Sequence, residues 1–409
     1  MYIRELSPKE FENYAKTNEY DNYHQTGEYA LLKVSNDYEF EYIGYVDDDN
    51  NIYAAALVLV KLIDGYLYAY IPEGPLMDYS DGKLVQDFTK ALIKYYKKEH
   101  ITFIKINPSI KIGTIDIKTH QRKYNDNYKL ANNLIEAGFK KCDDTIYFES
   151  ILPRINPIIN LDNYDESVLN KNTRNKIRKG QRKGLTIEIG NATDTSYLQE
   201  FTKRKTNKND FYFNDYYNCF AKSDKADLFL VKIDYNKYIV NSQEAYQKEL
   251  NKNTKLKEKV IRTPGTRNIN TKMNSDKTLL SYKEDIALAT KYVLENTNTC
   301  IAAALVIKHN DTITIRISGY DKKFGTFSPN YFLYNEIFKY YKGKYKYADL
   351  NGITGDFSKE NKYHGLNEFK LGFNPTIYEY TSEYDLIINK STYNYLKRKG
   401  LYDKEFSKK

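Results

Sequence analysis

The chain has 409 residues, enough for two or three domains with separate cores. With 41% hydrophobic and 29% charged residues it has the composition of a globular protein, and no apolar run approaches the roughly 18 residues that span a bilayer. Its formal charge of +9 points to polyanionic partners, but 42 Tyr with no Trp indicate that codon bias supplies part of the Lys and Tyr content.

In chain order, the opening MYIRELSPKEFENY reads as the start of a folded domain, not an export signal. A first α/β domain is expected over 1–150. Asn51-Ile52-Tyr53 runs into Ala54-Ala55-Ala56-Leu57-Val58, a second strand over Tyr66–Ile71 ends at Glu73-Gly74-Pro75, a helix spans Leu84–Lys98, and a strand over Ile101–Asn107 closes the unit. The polar stretch Lys111–Tyr128 reads as a surface loop. Pro153 and Pro157 mark a crossover into a second α/β domain, whose first part is expected over 151–240. Between 241 and 297 the pattern changes. Tyr246, Leu250, Leu256 and Val260, then Leu279, Tyr282, Ile286, Ala289 and Val293, form two narrow apolar seams separated by Pro264-Gly265. We expect an antiparallel helical arm there. The second domain resumes over 298–382, and 383–409 is expected to return towards the first domain.

That resumption repeats the first domain. Ala302-Ala303-Ala304-Leu305-Val306 copies the pentapeptide 248 residues upstream. A strand (Thr312–Ile317), a Gly turn (Ser318-Gly319-Tyr320), a helix (Tyr331–Tyr341) and a strand ending on Asn351 follow in the same order. Two similar units side by side make a cleft, and a cleft between them is the expected substrate site.

The densest charge lies over Lys171–Gly184, with seven cations in fourteen residues and no acid. Lys171, Arg174, Arg178 and Arg182 recur at helical spacing, and Gly184 is placed to end the helix. Such density favours phosphate contact over a merely solvated face. Cys142, Cys219 and Cys300 lack metal-ligand spacing, so no metal is expected and a reduced, cytoplasmic setting fits. The five His residues show neither HxxxH nor His-Asp spacing.

The chain resembles the Fem aminoacyltransferases (FemA, FemB, FemX and relatives) over nearly its whole length. The match runs through His24-Gln25-Thr26-Gly27-Glu28-Tyr29 to Lys33, through Gly74-Pro75, the Arg174–Gly184 helix and the arm. It ends at Asn351-Gly352-Ile353-Thr354-Gly355 and Phe369-Lys370-Leu371-Gly372-Phe373, the most specific pair. The resemblance implies an α+β fold of two GNAT-like (acyl-CoA N-acyltransferase-like) domains with an inserted helical arm. It implies transfer of Gly, Ser or Ala from aminoacyl-tRNA to an amine of a peptidoglycan precursor, either lipid II or UDP-MurNAc-pentapeptide, building the interpeptide bridge, without a cofactor. A resistance or immunity role would use the same chemistry. A lipid-linked acceptor would place the protein peripherally at the inner membrane face. Fem-type homo- or hetero-dimers are a further expectation.

By the same resemblance, Lys33 binds precursor phosphates and Lys370, after Phe369, lies near the transferred aminoacyl group. Lys171, Arg174 and Arg178 are candidates for phosphate, Tyr216 and Tyr217 for the peptide channel, and Gly352 and Gly355 for the turn beside it. The chain also departs from the family. No Arg precedes Tyr216-Tyr217, Asn107-Pro108 stands for Asp-Pro, and Glu73 stands where an Arg precedes Gly-Pro. These departures motivate the alternative of a non-catalytic precursor- or tRNA-binding protein. A CoA-dependent N-acyltransferase is disfavoured, since Gln181–Thr186 and Arg316–Asp321 are only near misses to a pyrophosphate loop. The general base is left open, with Asp349 and Asp356 flanking the Asn-Gly-Ile turn.

Overall fold

The computed structural model describes residues 1–206, 208–295 and 299–406. Two sheets organise it. The first orders its strands Tyr2–Glu5, Glu39–Val46, Ile52–Ile63, Tyr66–Ile71, Phe103–Ile106, Tyr384–Ile387 and Lys140–Lys141, with Leu76–Met77 paired to Ile52–Ile63. The second runs Leu185–Gly190, Ala226–Ile233, Cys300–His309, Thr312–Tyr320, Tyr347–Asp349, Ile155–Asn160, Thr376–Tyr380, Lys111–Ile115 and Arg122–Tyr124.

The repeated pentapeptide occupies the same place in each. Ala54–Val58 and Ala302–Val306 lie on central strands and are fully buried on both faces, which explains why both read as unbroken apolar runs. Each of these strands pairs antiparallel with its successor, and a helix then crosses over to a parallel partner. Tyr66–Ile71 pairs with Phe103–Ile106 through the helix Gly82–Lys98, and Thr312–Tyr320 with Tyr347–Asp349 through the helix Pro329–Tyr341.

The stretch expected as a surface loop is a β-hairpin. Lys111–Ile115 pairs with Thr376–Tyr380 at the edge of the second sheet, and Arg122–Tyr124 pairs back on it. Its polar sequence suits an outer strand, and only the tertiary pairing makes it one. In exchange, Tyr384–Ile387 crosses into the first sheet beside Phe103–Ile106. Lys105 anchors that crossing from the core, 3.1 Å from Glu383 and 3.2 Å from Asp385. Burial opposes its charge, yet the two carboxylates raise its pKa. Tyr393 and Tyr402 of the closing helices donate to Asp385 at 2.7 and 2.5 Å.

The arm consists of helices Tyr235–Arg262 and Thr266–Leu294, turning at Pro264-Gly265. Its seam is partly polar. Asn253 Nδ2 donates to Ser275 Oγ (3.1 Å) and Asp276 Oδ1 (2.8 Å), and Ser275 donates to Glu249 at 2.6 Å. At its base Asp285 forms a short contact with Lys183 and accepts from the Tyr238 hydroxyl at 2.8 Å. Lys183 therefore ties the end of the basic helix to the arm. The expected boundary at 297–298 lies outside the described residues, as do the last three residues of the C-terminal segment.

Candidate functional site

Between the two sheets lies a cavity of about 360 Å³. Its walls come from the turn Asn22–His24, from Glu73 and Ser109 of the first half, and from Asn156, Arg316, Asp349, Asn351 and Tyr380 of the second. Local chemistry shapes the first wall. Asn22 caps the turn Tyr23–Gln25, Thr26 caps the helix Gly27–Val34, and the Gln25 side chain links the backbone of Leu57 and Pro72. Asn107, where the resemblance leads us to expect Asp, accepts from the Tyr70 hydroxyl (2.9 Å) and the Glu73 amide (3.2 Å). The substituted side chain thus keeps an acceptor role that needs no charge. Glu73 Oε2 lies 3.0 Å from His24 Nδ1. Burial lowers the His24 pKa against the pull of Glu73.

Lys33 sits on the last turn of the Gly27–Val34 helix, its ammonium 5.1 Å from the Tyr29 ring and 5.4 Å from that of Tyr38. Burial lowers its pKa and the positive charge of Arg316 adds to that effect. Arg316 is the residue that sequence reasoning missed. Its Nε donates to the Tyr216 hydroxyl at 2.9 Å, and no carboxylate lies in ion-pair contact with it among the described residues. The guanidinium therefore has donors left for an anion. It comes from a strand 100 residues beyond Tyr216, and its one sequence signal was a lone cation on the Thr/Ser side of an alternating strand.

On the second wall, Tyr347–Asp349 leads into the Asn-Gly-Ile turn. Asn351 adopts φ +62°, a left-handed conformation that Asn tolerates, and its Nδ2 donates to the Arg316 carbonyl at 2.9 Å. A Cβ on Gly352 would overlap Pro153, and one on Gly355 would press on Ile155 Cδ1 at 3.0 Å, so both glycines serve close packing. Lys370, on the helix His364–Leu371, is buried and donates to the carbonyls of Asn351 (3.1 Å) and Gly352 (2.8 Å). Burial pushes its pKa down to about 7, opposed by Asp349. Burial raises the Asp349 pKa to about 6, and Glu73 adds to the rise.

The other expected residues fall elsewhere. Phe369 packs against Tyr331 (4.9 Å) and Tyr334 (4.8 Å) in the aromatic core behind Lys370. Tyr216 is buried and reaches the cavity through Arg316, while Tyr217 packs on the core beneath. Lys171 and Arg178 are exposed, and Arg174 donates to the Ser167 carbonyl at 2.6 Å. None of the three lines the cavity. Asp356 orders the loop by accepting the Ser358 amide at 2.9 Å. Among the described residues no group of His, Cys, Asp or Glu is arranged to hold a metal, and no helix is long and apolar enough to cross a membrane.

Comparison with known proteins identifies the class to which this fold of two strand-exchanged sheets and a projecting arm belongs. The chain belongs to the FemAB family, whose profile matches residues 6–398. Aminoacyltransferase FemA of Staphylococcus epidermidis is 25% identical over 413 residues, covering 96% of this chain and 98% of that protein. Aminoacyltransferase FemB of the same species is also 25% identical over 413 residues, covering 96% of each. The crystal structure of FemX shares the fold, with a TM-score of 0.72 at 20% identity over 97% of this chain and 100% of that one.

Proposed function

We propose that this chain transfers an amino acid from aminoacyl-tRNA to an amine of a peptidoglycan precursor, extending an interpeptide bridge. The observation that carries the reading is the cleft itself. It combines an uncommitted guanidinium at Arg316, within electrostatic reach of Lys33, with a Lys370-backed turn beside a carboxylate.

An aminoacyl ester is already activated, so positioning and charge stabilisation supply most of what the transfer needs. Lys33 and Arg316 hold the acceptor's phosphates, and Arg316 stands in for the family's Arg before the Tyr pair. Lys370 holds the Asn351–Gly352 peptides in place, and its protonated form adds positive charge behind the point where the ester carbonyl becomes an oxyanion. The basic helix and the arm, joined through Lys183 and Asp285, offer Lys171, Arg174 and Arg178 to the tRNA backbone. Support for aminoacyl transfer comes from the relatives named aminoacyltransferases, and the donor and acceptor classes are those the family resemblance implies.

The test is single-turnover transfer from labelled glycyl-, seryl- and alanyl-tRNA to lipid II and to the UDP-linked pentapeptide, with acetyl-CoA as control donor. Label on a precursor from one tRNA establishes the reaction and its amino acid. Tight precursor binding without transfer supports the binding-protein alternative, for which the missing Arg before Tyr216-Tyr217 and Asn107 in place of Asp are the motivating observations. Label from acetyl-CoA alone overturns the reading.

A further inference from the structure

We propose that Asp349 receives the acceptor's ammonium group in the cleft and takes its proton, an assignment that rests on the aminoacyl-transfer reading above. An alkyl ammonium must become a neutral amine before it attacks, and its own pKa of about 10 leaves little free amine at neutral pH. A carboxylate positioned in the cleft can hold the ammonium and accept that proton as the amine attacks. Asp349 is the carboxylate the fold prepares for it.

Three observations converge on it. Both oxygens are oriented, Oδ1 by the Asn351 amide at 2.7 Å and Oδ2 by Asn156 Nδ2 at 3.1 Å, and each keeps a lone pair for a further donor. No cation forms an ion pair with it among the described residues, so a half-buried charge in the cavity wall waits for a partner. It stands at the end of the strand Tyr347–Asp349, paired in register with Thr314, two residues before Arg316 on the neighbouring strand. That spacing is about 7 Å along the strand. Lys33 and Arg316 lie within each other's reach, whereas Asp349 responds to Glu73 and Lys370. Arg316 and Asp349 line the same cavity, so an acceptor whose anionic part meets Arg316 has Asp349 in the same wall for its amine.

The charged groups facing Asp349 are Glu73 across the cavity, Lys370 behind the turn and Lys111 with Asp311 along the wall, while His24 is held by Glu73 and Arg316 by Tyr216. In the step itself, Asp349 takes one proton from the ammonium and the neutral nitrogen forms the C–N bond to the ester carbonyl. As the C–O bond to ribose breaks, the nitrogen's surplus proton passes to the ribose oxygen, and Asp349 later releases its proton to solvent. The raised pKa of the carboxyl makes it a better base than an exposed Asp.

The experiment is a pH series of single-turnover transfer, from pH 6 to 9, for the wild type, Asp349→Asn and Asp349→Glu. Asp349→Asn is expected to slow transfer by about 100-fold at the acid end. That deficit should shrink towards pH 9, where solvent supplies free amine, and Asp349→Glu should recover part of the rate. A loss of equal size at every pH, or no loss in a folded variant, overturns the assignment. Binding of the precursor and of its N-acetylated form gives an arm independent of turnover. The wild type should prefer the free amine and Asp349→Asn should not, and equal wild-type affinities for both forms also overturn it. Wild-type discrimination without transfer would sink the transferase reading and leave the amine site standing.

Discussion

Arg316 donates from Nε to the Tyr216 hydroxyl at 2.9 Å, joining a strand that lines the cleft to the helix Asp210–Ala221. The tyrosine is buried and the arginine has no carboxylate partner among the described residues, so this contact orients the guanidinium without neutralising it. A binding cation has to be held in this way. An ion pair would orient it and also consume its charge.

Arg316→Met should therefore weaken binding of the UDP-linked precursor by about 10- to 100-fold, the range for losing one charged hydrogen-bonding group. Lys33→Ala should weaken it in the same sense. Titration calorimetry reads both, and unchanged affinity in either folded variant removes that residue from the phosphate site.

Lys370→Met should reduce single-turnover transfer by about 100-fold or more while leaving the protein folded. Its stability cost is expected at about 1–3 kcal/mol, because two carbonyls lose a buried donor. The pH dependence is a separate check. Lys370 titrates at about 7 in the folded chain and near 10.5 when unfolded, so between these values the unfolded state binds the extra proton. Wild-type stability should therefore rise with pH through that window relative to Lys370→Met. Parallel denaturation midpoints from pH 7 to 10 would contradict a lowered pKa.

Gly352→Ala should lower the melting temperature, with a cost of about 1–3 kcal/mol, because the new methyl overlaps Pro153. The same substitution should slow transfer below its melting point, since the Gly352 carbonyl is one of the two that Lys370 holds. Ala at Gly365, where a Cβ meets nothing within 4 Å, is the matched control.

Asp285→Asn should loosen the arm while sparing the cleft. The Lys183–Asp285 pair is about nine-tenths buried, and breaking such a pair by removing one charge costs about 3–5 kcal/mol. Hydrogen exchange should accelerate over residues 235–294 and stay unchanged over 300–320. Uniform acceleration through both sheets would mean that the pair supports the whole fold.

Much of this architecture was legible in residue order. The doubled Ala-Ala-Ala-Leu-Val runs announced two central strands because a strand buried on both faces must be apolar throughout. The narrow seams around Tyr246–Val260 and Leu279–Val293 announced paired helices, and Pro264-Gly265 their turn. The hairpin at Lys111–Tyr124 was not legible, since an outer polar strand takes its pairing from the Thr376–Tyr380 partner. Basic density was a poor guide to the cleft. Lys171 and Arg178 face solvent, Lys183 is spent on the arm, and the Lys and Arg that line the cavity are Lys111 and Arg316, each on a strand of the second sheet.

By itself, then, the sequence determined whatever depends on neighbours in the chain: strand and helix periods, the caps at Asn22, Thr26 and Asn170, the left-handed Gly184, and the family to which these belong. Tertiary structure alone decided which charges meet. Arg316 and Tyr216, Lys370 and Gly352, and Glu73 and His24 are each brought together by sheet register and strand exchange. Electrostatic meaning depends on distance and burial in space, which local patterning does not encode.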